Sequence, residues 1–429
     1  MRLSEYIIYV MLFIGLYTAI YFIYTYFEKK EEIERNARKP RRFYSVTIIV
    51  PAYNEEKTIL ATLKSLLALD YPEDKLNIIV VDDGSTDRTY RIVKGANLPR
   101  VKVYHKKNGG KYTALNYGLE RTSTELVGAL DADSFVTPGA LKKMVADFED
   151  EMVMAVTPSM RVHKPKSILQ RVQAVEYLMG LFLRKIFSVL SSEHVTPGPF
   201  TIIRKEFFDK HGFYRKAHHT EDIEVALRIQ SLGYKIKHAK DAAVYTVGPS
   251  EFGVLFKQRI RWYYGFIENT LDYKHLFSKK YGLLGIFILP IAFISVAMVI
   301  VGAFLAIMRF IELGSSYISK LIVTNWDFAN FFRLGKFDIF YLQLDTVTVL
   351  SVISLVFGLF FLIMAKKISK EKLHLPFNYI IFLSMYWILF AAWWIVSIVY
   401  KVTGKKTSWW HKSGSSGSDA KTGAVGQAQ

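Results

Sequence analysis

The sequence predicts an α/β domain built on a parallel sheet and carried on several α-helical membrane segments. Three observations predict it. Apolar runs of strand length alternate with stretches of helical spacing between Val46 and about Tyr273, the pattern of βαβ units. Three of these runs end in clusters of acidic and small polar residues. Outside this region lie four apolar runs, Tyr6–Phe27, Gly282–Met308, Ile339–Met364 and Tyr379–Tyr400, each near the ~20 residues needed to cross a hydrocarbon core.

Composition supports this division. Of 429 residues, 51% are hydrophobic and 22% charged, and a mean hydropathy of +0.18 excludes a disordered chain and disfavours a purely soluble globule. The absence of cysteine excludes disulfides, thiolate catalysis and zinc–thiolate sites. A net charge of +18 calls for nucleic acid, anionic lipid headgroups or a nucleotide diphosphate. Lys29, Lys30, Arg35, Arg38, Lys39, Arg41 and Arg42 crowd the end of the first apolar run, which favours membrane lipid and no nucleic acid.

That first run is too long for a cleaved signal peptide and lacks a small-residue cleavage site. The basic residues after it place the polar domain in the cytoplasm and the amino terminus outside. The chain thus divides into a transmembrane helix (1–30), a cytoplasmic domain (42–275) with amphipathic helices near 166–190 and 252–275, three transmembrane helices (281–402), and an interfacial segment with a disordered tail (403–429). Pro290 is expected to kink the second span. Lys366, Lys367, Lys370 and Lys372 fall on the cytoplasmic side, but a fourth crossing puts Lys401, Lys405, Lys406 and Lys412 outside, against the positive-inside tendency. Either the final segment does not fully cross, or the tail folds back with Trp409 and Trp410 at the interface. In Ser167–Leu190, apolar Ile168, Leu169, Val172, Val175, Leu178 and Met179 recur at helical spacing. This fits either a core-facing surface helix or one lying in the membrane interface.

Within the domain, Val46–Val50 reads as a buried strand ending in Pro51-Ala-Tyr-Asn-Glu-Glu56, followed by a helix with Ile59, Leu63 and Leu66 on one face. Leu76–Val81 is a second strand and ends in Asp82-Asp-Gly-Ser-Thr-Asp87. Leu126–Leu130 is a third and ends in Asp131-Ala-Asp133. Open α/β sheets bind ligands at the carboxyl ends of their strands. Two carboxylates there suit a hard divalent cation bridging to phosphate oxygens. Asp87 is expected to cap the next helix and Asp83 to contact ligand. Asn108-Gly-Gly-Lys111 before a helix supplies amides and a cation for a phosphate, or forms an ordinary turn. Neither a Walker loop nor a dinucleotide glycine fingerprint is present. Thr220-Glu-Asp222 opens a helix, so Thr220 is either a cap or a neighbour of a catalytic base, and His218 and His219 before it read as solvated. Gln258-Arg-Ile-Arg-Trp262 is either an interfacial segment or a diphosphate and sugar contact.

Taken in order, Tyr53-Asn-Glu55, Asp82-Asp-Gly-Ser85, Asn108-Gly-Gly-Lys111, Asp131-Ala-Asp133, Thr220-Glu-Asp222 and Gln258-Arg-Ile-Arg-Trp262 resemble the processive, membrane-integrated family-2 glycosyltransferases. That group holds the cellulose, chitin, hyaluronan and poly-N-acetylglucosamine synthases, and the likeness runs from about Val46 to Trp262. It implies a GT-A (Rossmann-like) fold, a UDP-sugar donor, and Mg2+ or Mn2+ as cofactor. By motif match, Tyr53 and Asp83 would hold the uracil with Glu55 in support, and Lys111 would lie near the diphosphate. Asp131 would contact ribose or diphosphate, and Asp133 with Asp131 would bind the metal. Asp222, with Glu221 beside it, would be the general base, and Gln258, Arg261 and Trp262 would cover the diphosphate and acceptor. Val195-Thr-Pro-Gly198-Pro199 is similar to the segment that shapes the acceptor pocket, departing from it at Pro197 and Pro199. The implied activity is inverting extension of a β-linked polysaccharide, an N-acetylhexosamine polymer among the options, across the plasma membrane. Its partners would be the UDP-sugar, the growing polymer and membrane lipids. A single-addition transferase acting on a lipid such as polyprenyl phosphate is the alternative, and a transporter or scaffold a third reading. The sequence leaves sugar, linkage and oligomeric state open.

Overall fold

The computed structural model describes residues 3–326, 345–370 and 375–404. The first residues of the expected span Ile339–Met364, Lys372, and the tail with Lys405, Lys406, Trp409, Trp410 and Lys412 lie outside the described residues. Helix α1 (Leu3–Glu28) and short α2 (Lys30–Glu34) lead into β1 (Val46–Ala52), α3 (Ile59–Leu67), β2 (Leu76–Asp82), α4 (Thr89–Ala96), β3 (Val101–His105), α5 (Lys111–Leu119), β4 (Leu126–Ala129) and β5 (Ser134–Val136). Then come α6 (Ala140–Val145), β6 (Val153–Val162), α7 (Ile168–Val189), β7 (Thr201–Arg204), α8 (Lys205–His211), α9 (Glu221–Ser231), β8 (Lys235–Thr246) and α10 (Phe252–Asp272). Helices α11 (Leu289–Val323), α12 (Thr346–Ser369) and α13 (Leu375–Thr403) follow.

β1 and β2 are apolar at almost every position because both faces of the sheet are covered. Successive side chains alternate between faces. Ile48, Val50, Ile78 and Val80 pack toward α3 through Leu63 and Leu66, and Ile49, Ile79 and Val81 pack toward α5 through Ala114 and Leu115. The parallel register pairs Ala52 with Asp82 and Ile49 with Ala129. The ends of β1, β2 and β4, and the polar clusters that follow them, therefore share one edge.

The sheet is parallel only in part. Its order is β3-β2-β1-β4-β7-β6-β8-β5, and β7 runs antiparallel to both β4 and β6. An all-parallel sheet is thus corrected to a mixed one. The chain reaches β7 through α7, which packs on β6 and β8, and it enters from the edge where the strand-end clusters lie.

Helix α7 is covered by protein on two sides. It starts on a capping box of Ser167 with Gln170, where each side chain satisfies an orphan amide. One flank meets β6 and β8, and the other meets α12 and α13. Val175, Leu178, Phe182 and Ile186 enter a core with Phe22 and Tyr26 of α1, Leu362 and Ala365 of α12, and Phe382 of α13.

Four helical stretches, Leu3–Glu28, Leu284–Val323, Thr346–Ser369 and Phe377–Thr403, are long and apolar enough to cross a membrane. Pro290 follows closely on a π-helical turn, Leu284–Ile288, that runs into α11, a local widening of the kind that accommodates a proline within a membrane helix. α11 also continues well past Met308, carrying an exposed Arg309–Glu312 pair.

Phe182 is buried, with ring centres 6.1 Å from Tyr26 and 5.4 Å from Phe361. Phe182→Ala is expected to cost about 3–5 kcal/mol and to lower the thermal unfolding midpoint of the detergent-solubilised protein, because it opens a hole where domain and helices meet.

Candidate active site

One cavity of about 430 Å³ lies at the strand-end edge. All the residues singled out from the sequence line it: Tyr53 and Glu55 after β1, Asp83 after β2, Lys111 at the start of α5, Asp131 and Asp133 after β4, Gly198 before β7, Glu221 and Asp222 at the start of α9, and Gln258, Arg261 and Trp262 on α10. Pro51, Tyr177, Arg184 and His219 line it as well. Tyr177 and Arg184 were missed as site residues, because no local pattern marks a residue that reaches a site from the side, and Pro51 reads in the sequence only as the start of a strand-end cluster. His219, read as solvated, sits in the wall between this cavity and a larger one of about 970 Å³ lined by Arg215, Lys216 and Arg228.

Lys111 is the centre of charge. Its Nζ lies 2.5 Å from Asp131 Oδ1 and 3.6 Å from Glu221 Oε1. Burial disfavours the ammonium, but Asp131 and Glu221 more than offset this and hold its pKa above the ordinary lysine value. A Cβ on Gly198 would lie 3.0 Å from that Nζ, so a residue without a side chain leaves the lysine its place. The surrounding carboxyls are short of positive charge. Burial, reinforced by Asp131, pushes Asp133 up to about 6. Burial, reinforced by Glu221, pushes Asp222 up to about 6. Glu55 is pushed up to about 7, mainly by burial, although Thr58 donates to it at 2.7 Å.

Asp83 contributes differently from the expectation. Its carboxylate accepts from Lys106 Nζ at 2.7 Å, Gly109 N at 3.1 Å and Gly110 N at 2.8 Å. It braces the Asn108–Lys111 turn, and two of the amides expected to face a phosphate are already engaged by it. Asp87 caps, accepting from Thr89 N at 2.8 Å.

Thr220 is the first residue before α9, yet its side chain does not cap the helix. Its hydroxyl instead accepts from Asn269 Nδ2 at 2.8 Å. Asn269 is fully buried on α10 and its amide also donates to Ala217 O at 3.2 Å and Gly265 O at 2.9 Å. The loop it holds has three consecutive left-handed residues, Ala217, His218 and His219, a conformation that costs non-glycine residues free energy. α10 approaches this loop so closely that a Cβ on Gly265 would stand 2.1 Å from Thr220 Oγ1. Thr196 Oγ1 donates to the Asp222 carbonyl at 2.6 Å, which ties the Val195–Pro199 segment to the same helix start. Two residues before Arg261, Arg259 is buried, 2.6 Å from Glu176 of α7, and its guanidinium lies 4.3 Å from the Trp262 ring centre. It fixes the tryptophan rather than facing the cavity.

A doubly covered sheet with paired acids at its strand ends, closed by a helix carrying Gln, Arg and Trp, defines a glycosyltransferase of the GT-A type. Residues 47–212 match glycosyl transferase family 2, and the chain belongs to that family. It is 28% identical over 408 residues to the poly-beta-1,6-N-acetyl-D-glucosamine synthase of Staphylococcus epidermidis, covering 91% of this chain and 93% of that one. It is 31% identical over 280 residues to the protein of the same name from Staphylococcus aureus, covering 63% and 67%. In fold it is similar to a mannosyltransferase from Pyrobaculum calidifontis solved with GDP-Man and Mn2+, with a TM-score of 0.56 and 18% identity over 92% of this chain and 100% of that one.

Asn269 touches none of the cavity yet sets where α9 begins. Asn269→Ala is expected to lower kcat for sugar transfer about 10²-fold, the scale of a misplaced reacting group, while the KM for donor stays within a small factor. Steady-state kinetics beside a thermal melt checks this. A parallel loss of donor affinity and stability would mark a merely structural role.

Proposed function

We propose that the protein is an inverting, membrane-bound glycosyltransferase that extends a β-linked N-acetylhexosamine polysaccharide from a UDP-sugar. The observation that carries the reading is the single cavity in which the strand-end acids, Asp222 and the Gln258–Trp262 stretch meet, on the side of the domain where α7 and α10 join the apolar helices. The names of the Staphylococcus relatives support polymer extension over single addition to a lipid, and their coverage of most of this chain supports a shared architecture. The basic residues after α1 support a cytoplasmic catalytic domain in a multi-pass plasma-membrane protein.

In the proposed reaction, Asp222 accepts the proton of the acceptor hydroxyl as that oxygen attacks the anomeric carbon from the face opposite the diphosphate. One displacement inverts the configuration. Lys111 and Arg261 supply positive charge for the leaving diphosphate. Trp262, held by Arg259, offers a flat face to a sugar ring. Tyr53 and Glu55 border the end of the cavity assigned to the nucleotide base, and Asp83 supports that end by holding the Asn108–Lys111 turn.

The donor set fits a hard divalent cation. Among the described residues no three acids or histidines form an all-protein cage. Asp131 and Asp133 instead form a pair of neighbouring carboxyls at the end of β4, both lining the cavity, and Mg2+ is commonly held by one or two carboxylates plus substrate phosphates. Asp131 and Asp133 would hold Mg2+ or Mn2+, which supplies charge neutralisation for the diphosphate.

Purified protein given labelled UDP-sugars is expected to make long products from one donor. Asp222→Asn is expected to lower transfer by about 10²–10⁴-fold, and full activity in that variant would remove the base assignment. Only the ionised Asp222 can take a proton. With its pKa raised to about 6, kcat is therefore expected to be level at neutral pH and to fall about tenfold per unit below that value. Chelation by EDTA is expected to abolish transfer, and Asp133→Asn to raise the Mn2+ concentration needed for half-maximal rate. Unchanged metal dependence in that variant would remove Asp133 from the metal site.

A further inference from the structure

We infer that α13 does not cross the bilayer. It lies in the membrane interface on the catalytic side, with its outward face against the boundary of lipid headgroups and acyl chains. The inference rests on the reading of α1, α11 and α12 as membrane spans, and it makes three crossings rather than four.

Both ends of α13 are tied to the catalytic side. α12 finishes there, since Arg161 of β6 donates to the Ser369 carbonyl at 2.6 Å and Lys367 pairs with Glu34 of α2 at 2.7 Å. α13 starts at Leu375, and six residues of extended chain reach at most about 20 Å. At the other end, Lys401 Nζ lies 2.6 Å from Glu268 Oε2 on α10. Glu268 precedes Asn269, whose amide holds the catalytic loop, and His218 of that loop pairs with Asp272 at 3.0 Å. Between its ends the helix packs on α7 and α10 of the domain as well as on α11. Phe382 packs in the core with α7, Trp393 lies 5.8 Å from the Arg259 guanidinium, and Trp394 stacks on Tyr263 at 4.5 Å.

Geometry then opposes a crossing. At 1.5 Å per residue the 29-residue helix is about 43 Å long. A helix of that length set across a ~30 Å core has its ends on opposite sides, and here Phe382, two turns from the start, meets α7 while Lys401 near the other end meets α10 of the same domain.

Composition names the occupant of the outer face. Phe377, Ile380, Trp387, Ile388, Ile395 and Val402 are exposed, which in water would be an apolar stripe along the whole helix. Of the aromatic types that concentrate at membrane interfaces, Trp387 is exposed on that face, while Trp393 and Trp394 turn inward. The placement also removes the conflict between a fourth crossing and the lysines that follow in the sequence.

The natural chain has no cysteine, so single cysteines report position without background. In the full-length protein in intact cells, an impermeant maleimide is expected to label Ser4→Cys and Ser316→Cys at once. It should label Ser123→Cys and Thr403→Cys only after permeabilisation. If Thr403→Cys instead reports the side of Ser316→Cys, the inference falls. If Ser123→Cys and Ser316→Cys report one side, the crossing by α11 fails and takes the membrane reading with it. A nitroxide on Ile388→Cys, near the middle of α13, gives the second measurement in vesicles. A depth within about 5–10 Å of the headgroup boundary supports the inference. A midplane depth, or burial from both lipid-soluble and water-soluble relaxants under a protein partner, overturns it.

Discussion

The structure depends on one cation held between two acid clusters. Lys111 spans Asp131 at the end of β4 and Glu221 at the start of α9, two points separated by a long stretch of chain. Without it the cavity would gather Glu55, Asp131, Asp133, Glu221 and Asp222 with little to balance them. Even with it, three of the five carboxyls have pKa values raised by burial and by each other. A protein of net charge +18 thus keeps a locally acidic site. Such a site is electrostatically incomplete in a way that a divalent cation with a diphosphate completes: the cation answers the carboxylates, and the diphosphate answers the cation, Lys111 and Arg261.

α10 couples the two halves of that site mechanically. One stretch of the helix carries Gln258, Arg261 and Trp262 into the cavity. Two turns later, Gly265 and Asn269 clamp the loop that leads to Asp222. A rigid helix fixes the distance between Gln258, Arg261 and Trp262 in the cavity and the loop that leads to Asp222. The strained Ala217–His219 segment makes the clamp necessary, since three left-handed residues in a row would relax without outside hydrogen bonds.

Much of this was legible in the sequence because it is local. The strands β1, β2 and β4 announce themselves by apolar runs, their ends by Tyr53-Asn-Glu55, Asp83 and Asp131-Ala-Asp133, and the parallel register converts sequence position into a shared edge. What was not legible is set by tertiary approach. Nothing near Asn269 says that its amide meets Thr220, and nothing near Thr220 says that its hydroxyl is taken and does not cap. Asp83 reads as a ligand contact until the Asn108–Lys111 turn folds over it. The direction of β7 depends on where α7 delivers the chain, and nothing near Pro290 announces the π-helical turn before it.

The position of α7 bears on why catalysis and membrane belong to one body here. The same helix packs on β6 and β8 and against α12 and α13, while Tyr177 and Arg184 from it line the cavity. Through Glu176 it also holds Arg259, and through Arg259 the ring of Trp262. A sugar chain leaving the cavity past Trp262 would therefore meet α7, α10 and α13 before it met solvent. The Tyr and Trp side chains gathered where these helices touch combine flat apolar faces with polar tips, the surface chemistry that lets a sugar ring slide without being bound at one place. The wall of the cavity near Trp262 and the contact between the domain and the apolar helices are built from the same side chains of α7 and α10, so a change that repacks the one repacks the other.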